Sequence, residues 1–339
     1  MKRLTNLTIV LLLALAMLTN CQKDSDSGVN TIESDEFTIQ ELAESEDEDL
    51  LYDLGIDDQD EANMFDGYSS FDGGLGKITA PIDTILRFGR RIEDRGLRRL
   101  DIRRVAPDTF KVFVAREFAG AFVIFEKGED STGTRPIIIH RKRLRHVVKR
   151  NAIYVKKERE TDSAHDISNR LHRNWKLAAV SMSAGNSVPN HTIQMNEITI
   201  TSSSGENMVI TDPLNNLFYS RDDLPTFVPG DSVTVQVKLS NTTANPVDIE
   251  GNGSTEKVLL HFGVNRHHHA RKRFHYVGVD PATGDNVYEG GWVIKQRPGR
   301  AYHAIIDAID NGTIHDSNAE TFPYNSTTLG TIYRVVTVD

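Results

Sequence analysis

Strict alternation of apolar and polar side chains between residues 233 and 240 is the feature that most constrains the fold of this chain. Single polar residues separate the apolar ones, Val233, Val235, Val237 and Leu239. Because successive side chains of a strand point to opposite faces, the pattern predicts a strand with one buried face. Further apolar segments follow at 257–264, 274–279, 287–294 and 302–309. Their regular spacing predicts an all-β sandwich over 222–339.

A second β-rich region is predicted over 76–215. Phe110, Val112 and Val114 alternate with other residues, and two apolar runs flank Ala119-Gly120, which predicts a hairpin turning there. Residues 82–92 fit a short leading helix. We therefore predict a mainly β chain, in which an α+β central curved-sheet domain precedes the sandwich.

The N-terminus predicts a lipoprotein signal peptide over 1–20. Lys2 and Arg3 precede an apolar run at 7–18 that is short for a membrane span. A short membrane anchor with an incidental cysteine is the alternative. The sequence Leu-Thr-Asn-Cys at 18–21 resembles the lipobox of bacterial lipoproteins. That resemblance implies that Cys21 is lipidated, carrying acyl chains such as palmitate, once the signal is removed.

Cys21 is the only cysteine of the chain. If it carries lipid, no thiol is left for a disulfide, a redox pair, a thiolate metal site or a nucleophile. The polar, acidic residues that begin with Gln22 resemble the export signal of surface lipoproteins in the Bacteroidetes. The resemblance implies an outer-membrane protein held by its lipid, either periplasmic or exposed at the cell surface.

Residues 21–75 are predicted to form an acidic tether. The net charge of -9 does not show how unevenly acids and bases are distributed along the chain. Lys23 is the only base between residues 22 and 66. Too few apolar residues are present to offset the entropy of ordering, so the tether is predicted to be largely disordered, with a short helix over 41–54. The acids at 57–61 lack the glycine-centred ligand order of a calcium loop, and a solvated acidic segment explains them.

A basic run in the central region is the candidate anion-binding site. Its members are Arg141, Lys142, Arg143, Arg145, Lys149 and Arg150. The predicted compartment excludes nucleic acid and favours anionic glycans, lipopolysaccharide or envelope proteins as partners. Two alternatives stay open: the run binds the chain's own acidic segment at 44–66, or it is a solvated strand surface that discourages edge pairing.

Two phrases carry resemblances to known folds. The sequence Arg-Asn-Trp-Lys-Leu at 173–177 resembles cystatin-type and NTF2-like curved sheets, which implies a structural role for Trp175. The segment 297–326, with Pro-Gly-x-x-Tyr at its start, resembles bacterial immunoglobulin-like modules of the CARDB type. That resemblance implies an immunoglobulin-like sandwich used for adhesion or spacing, in which Tyr302 pins a corner of the core.

A histidine cluster is the weak metal candidate. His267 and His269 would share one face of a strand, and imidazole suits zinc, copper or nickel. Neighbouring cations oppose a metal, and no HExxH spacing is present. Incidental loop histidines and adventitious metal binding both remain open.

Motifs of catalysis are missing from the sequence. It holds no Gly-x-Ser-x-Gly elbow, no phosphate-cradling glycine loop and no dinucleotide fingerprint. Paired carboxylates of a glycosidase stay open because their pairing is spatial. We expect a lipid-anchored envelope protein that needs no cofactor and serves binding, adhesion or assembly. The alternative is an envelope enzyme or small-ligand carrier, which a closed pocket in the central domain would favour.

Overall fold

The computed structural model describes residues 31–45, 85–96, 98–128, 136–157, 174–215, 218–220, 224–265, 268–299 and 301–337. The predicted signal peptide, Cys21 and most of the predicted tether therefore lie outside the described residues. By its contacts the chain divides into a unit at 1–37 and a unit at 38–339, and the architecture below belongs to the second. The chain is mainly β, which confirms the predicted class.

The helices and strands follow one another along the described chain as α1 (Thr31–Glu44), β1 (Ile85–Asp94), β2 (Arg98–Ala106), β3 (Thr109–Lys127), β4 (Ile137–Lys156), β5 (Trp175–Ser181), β6 (Ser183–Ser187), β7 (Ile193–Ser202), β8 (Asn207–Ile210), β9 (Phe218–Ser220), β10 (Thr226–Phe227), β11 (Ser232–Asn241), β12 (Glu256–Asn265), β13 (His268–Arg273), β14 (His275–Val279), β15 (Asn286–Val293), β16 (Ala301–Asp310), α2 (Asn311–His315) and β17 (Ser326–Val335). The described part of the chain holds no helix long and apolar enough to cross a membrane.

The described strands form two sheets. The larger one has the order β1-β3-β4-β6-β17-β16-β12-β13, with β2 beside β3, β5 beside β4, β9 beside β5 and β10 beside β17. The smaller one has the order β14-β15-β11-β7-β8. Among the described strands, β10 and β17 are the parallel pair, and the other pairs are antiparallel.

Both sheets cross the boundary predicted between 215 and 222. Strand β7 precedes that boundary and pairs with β11 after it, while β6 precedes it and pairs with β17. Residues 38–339 accordingly cluster as one unit. The division into a central domain at 76–215 and a sandwich at 222–339 is corrected, since each of the two sheets contains paired strands from both segments.

The β3–β4 hairpin is much longer than the sequence predicts. The register runs without a break from Thr109 opposite Val155 to Lys127 opposite Ile137. The predicted turn at Ala119-Gly120 is wrong, because β3 continues through it. Gly120 instead lies opposite Ile92 of β1, where a Cβ would come 2.0 Å from a backbone oxygen of β1. The glycine marks a close approach of two strands.

One of the two predicted helices is wrong, and the other overlaps α1. Residues 85–94 form β1 and not a helix. Phe88 and Ile92 are four positions apart, which fits one face of a helix and one face of a strand, and pairing with β3 favours the strand. The predicted acidic helix at 41–54 overlaps α1 at residues 41–44, and its part from residue 46 onward lies outside the described residues. The α1 residues Ile39, Leu42 and Ala43 are buried in the main core, so this part of the predicted tether belongs to the folded unit.

The apolar side chains form two cores. The main core contains the alternating residues of β11, together with Trp175 and the buried end of α1. A second core lies among β1, β3, β4, β12 and β16 and includes Phe88, Phe122, Leu144 and Leu259. Helix α2 contributes Ile314 to this second core. The long β3–β4 hairpin thus spans both cores.

The two residues assigned structural roles are buried. Trp175 begins β5 and meets the ring of Phe110 edge-on, with 5.0 Å between ring centroids. Tyr302 lies in β16, and its hydroxyl donates a hydrogen bond of 2.6 Å to the carbonyl of Arg297. This bond ties β16 to the turn before it.

Candidate anion-binding face

Strand alternation divides the predicted basic run between two faces of the sheet. Arg141, Arg143 and Lys149 are exposed, and Arg145 is half-buried on the same side. Lys142 and Arg150 point to the opposite side and are buried. We call the side that carries Arg141 and Arg143 the outer face of β1–β4. The six-residue site is therefore corrected to four residues, because neighbours in a strand cannot share a face.

Neighbouring strands add further bases to the outer face. The antiparallel registers place Arg91 beside Ala121, which in turn lies opposite Arg143. Strand β2 adds Arg99 and Arg103 through its pairing with β3. The bases of the outer face are Arg87, Arg91, Arg99, Arg103, Lys111, Lys127, Arg141, Arg143, Arg145 and Lys149. Sequence reasoning missed those on β1–β3, since only the register shows that they line up.

Three of the acids on the outer face form ion pairs that neutralise part of this charge, and Asp94, opposite Ala119, is a further exposed acid there. Glu117 accepts a bond of 2.6 Å from Arg145, which raises the pKa of Arg145. Asp101 pairs with Arg103, and Glu93 lies 3.8 Å from Arg91. Among the described residues, Arg141, Arg143 and Lys149 have no ion-pair partner. The outer face therefore carries an excess of positive charge centred on β4.

Lys142 serves the inside of the molecule. Its Nζ donates to the carbonyl oxygens of Gly312 and Phe322, at 3.0 and 2.6 Å. Burial lowers its pKa to about 8, although the charges of Asp316 and Asp310 act in the other direction. The lysine holds α2 and the segment after it against β4, so it is not available to an outside anion.

A buried polar network lies on the inner side of the same strands. Arg90 of β1 grips the carboxylate of Asp307 in β16 with two hydrogen bonds of 2.6 and 2.7 Å. Arg90 also donates to Tyr324 and Ser326. The imidazole of His261 lies 3.2 Å from Asp307. Bidentate, charge-assisted bonds of this kind fix two strands in one geometry.

His146 of β4 closes the network. Its Nδ1 lies 3.1 Å from the Tyr324 hydroxyl, and its Nε2 lies 3.0 Å from Thr328 Oγ1. Burial and the charge of Arg90 lower the pKa of His146 to about 3, so the ring is neutral at pH 7. Burial would raise the pKa of Asp307, but the charge of Arg90 and the bonds from His261 and Arg90 hold it well below its usual range.

This network contains residue types that take part in acid–base catalysis, but here they join β1, β16 and β17 through buried hydrogen bonds. Arg90, Asp307 and His146 have no exposed surface, and Asp307 accepts bonds from β1 and from Ser326 of β17. Asp307 is an acidic residue in an otherwise apolar strand, and such a position in a sequence indicates a buried polar contact. The sequence could not name Arg90 as its partner, because 217 positions separate them.

The described residues do not show whether the two predicted metal ligands lie close together. His267 lies outside the described residues, and His269 is described only through its backbone, opposite Gly263 in β12. Within the described ranges no group of three or more histidines, cysteines or carboxylates could hold a metal ion. Metal binding by His267 and His269 stays a prediction.

Comparisons with known proteins add no family. No protein-family model matches the chain, and no curated protein matches it. A solved structure of extended synaptotagmin 2, comprising its SMP domain and its two C2 domains, aligns with 74% of this chain and 89% of its own. The two are 10% identical, and the TM-score is 0.16, which is too low to support an argument.

Proposed function

We propose that the chain is a lipid-anchored protein of the bacterial outer membrane and a non-catalytic binding component of the cell envelope. The anchor is Cys21, on the resemblance of residues 18–21 to a lipobox. The C-terminal segment from Arg297 retains its resemblance to display modules of the CARDB type. In this proposal the outer face of β1–β4 is the binding surface, and its partner is anionic.

One observation carries the proposal. Arg141, Arg143 and Lys149 lie on one exposed face with further bases on β1, β2 and β3, which outnumber the acids of that face. Such a surface attracts a polyanion through long-range electrostatics. The buried core of β1, β3 and β4 favours a binding role over the role of a small-ligand carrier, which needs an internal pocket. Phe88, Phe122 and other large side chains form a buried apolar core among these strands.

Charge reversal on the outer face tests this function. Arg141→Glu combined with Arg143→Glu should abolish retention of the protein on a heparin column at low salt. The parent protein should be retained and should elute as added salt shortens the screening length to about 8 Å at physiological strength. Retention is measured as the salt concentration at elution.

A matched control distinguishes the effect of losing bases on the outer face from the effect of lowering the net charge. Lys295→Glu with Arg297→Glu makes the same change in net charge at exposed positions after β15. This variant should elute close to the parent. If both double variants lose retention equally, net charge explains binding and the outer face is not the site. If the parent itself is not retained at low salt, the proposed function fails.

A further inference from the structure

Three consecutive isoleucines begin β4 and remain exposed. Ile137, Ile138 and Ile139 are 58%, 43% and 52% exposed. Ile137 and Ile139 point to the outer face, and Ile138 points to the other side of the strand. Isoleucine is among the residue types most often buried, and a contiguous exposed apolar patch marks an interaction site.

The isoleucines continue into other apolar residues of the outer face. Ile139 lies opposite Phe125, and Val123 lies two positions further along β3, opposite Arg141. The guanidinium of Arg87 covers the ring of Phe125 at 4.0 Å from its centroid. We call the set Phe125, Ile137 and Ile139 the apolar patch, and Val123, which is 5% exposed, is its buried neighbour. Bases border it on three strands, namely Arg87, Lys127, Arg141 and Arg143.

We propose that this part of the outer face binds an anionic lipid surface, which rests on the proposed function and names its partner. A soluble polyanion would use the bases but would gain nothing from Ile137 and Ile139. A bilayer with anionic headgroups uses both. Exposure of Ile138 on the other side of the strand fits immersion in an apolar medium better than a one-sided protein groove.

The spacing along β4 agrees with the dimensions of a membrane interface. Ile139 and Arg141 are two positions apart, which is about 7 Å along a strand. Apolar faces of interfacial elements enter the acyl boundary by about 5–10 Å. Arginine and lysine can bury their stems while their charged ends stay with the headgroups. The patch and its border can therefore contact the acyl boundary and the phosphates together.

Vesicle sedimentation tests the lipid partner. The unacylated chain starting at Gln22 keeps every described residue and has no lipid of its own. We expect it to sediment with vesicles of phosphatidylcholine mixed with phosphatidylglycerol and not with phosphatidylcholine alone. Ile137→Ser with Ile139→Ser should weaken this binding by about tenfold or more, because apolar area no longer leaves water.

Matched variants and a second readout make the result decisive. Val277 and Val279 of β14 are each 56% exposed on the smaller sheet, and Val277→Ser with Val279→Ser should leave sedimentation unchanged. The isoleucine variant should keep its heparin retention, and a cooperative unfolding transition in urea should show that it is folded. If that variant sediments as well as the parent, the patch is not a lipid site.

The failures of the two proposals are distinguishable. A parent protein that is retained on heparin but sediments with neither kind of vesicle overturns the lipid partner and leaves the proposed function standing. A parent protein that does neither overturns both. Equal sedimentation with neutral and mixed vesicles contradicts the role given to Arg141 and Arg143.

Discussion

The two faces of β1–β4 use the same basic residue types for opposite purposes. On the inner face, Arg90 and Lys142 are buried, and each is held by several oxygens of distant segments. On the outer face, Arg141 and Arg143 are exposed, and no described acid pairs with them. A buried charge that loses its partner is costly, whereas an exposed one changes stability little. The inner bases therefore hold the fold, and the outer bases remain available to a ligand.

The largest effect is expected when the buried pair is broken. Arg90→Met leaves the buried carboxyl group of Asp307 without its main partner, so the free energy of unfolding should fall by about 3–5 kcal/mol. Arg90→Met combined with Asp307→Leu should recover a large part of that loss, because no unpaired charge stays buried. Urea unfolding of the parent and both variants measures these differences. A loss below about 1 kcal/mol in the single variant would show that the pair does not fasten β1 to β16.

An effect of at most comparable size, spread over the acid range, is expected from protonation of His146. Its pKa is about 3 in the folded protein and 6.5 for the unperturbed side chain, so the unfolded chain binds its proton first as pH falls. Stability from this group is complete above 6.5 and decreases towards pH 3, by at most about 1.4 kcal/mol per pH unit.

His146→Gln isolates that contribution. The variant keeps a polar side chain but cannot gain the proton, so its free energy of unfolding should change less than that of the parent between pH 6.5 and pH 4. Urea unfolding at several pH values gives both curves. Parallel curves across that window would mean that His146 is not held neutral by its surroundings.

The smallest effect is expected on the outer face itself. Glu117→Gln removes the partner of Arg145, and because this pair is partly exposed the free energy of unfolding should change by less than about 1 kcal/mol. Heparin retention should rise slightly, since Arg145 becomes available to the polyanion. A drop in retention would contradict the view that acids of this face compete with the ligand.

The sequence predicts strands well where one face is buried and the other is polar. The valines of β11 are all buried, as their alternation indicates. The same rule separates Arg141 and Arg143 from Lys142, so the split of the basic run was available from spacing alone. Charge alone groups the run as one site, whereas the strand period separates its members.

Other features depend on pairing that no local pattern shows. Gly120 between apolar runs has the pattern of a turn, and only the presence of β1 beside β3 makes it a close contact inside a strand. The boundary at 215–222 is rich in turn residues, yet β6 and β7 pair with strands after it. The apolar patch likewise became visible only once β3 and β4 were in register.

Two adjacent residues test the central claim most directly. Arg141→Gln and Lys142→Gln each remove one positive charge, and the two positions are neighbours in β4 on opposite faces. The measurement is the salt concentration at which each folded variant elutes from heparin. The account predicts that Arg141→Gln elutes earlier than the parent while Lys142→Gln elutes with it, despite its lower stability. Equal shifts for both variants would contradict the division of roles between the two faces.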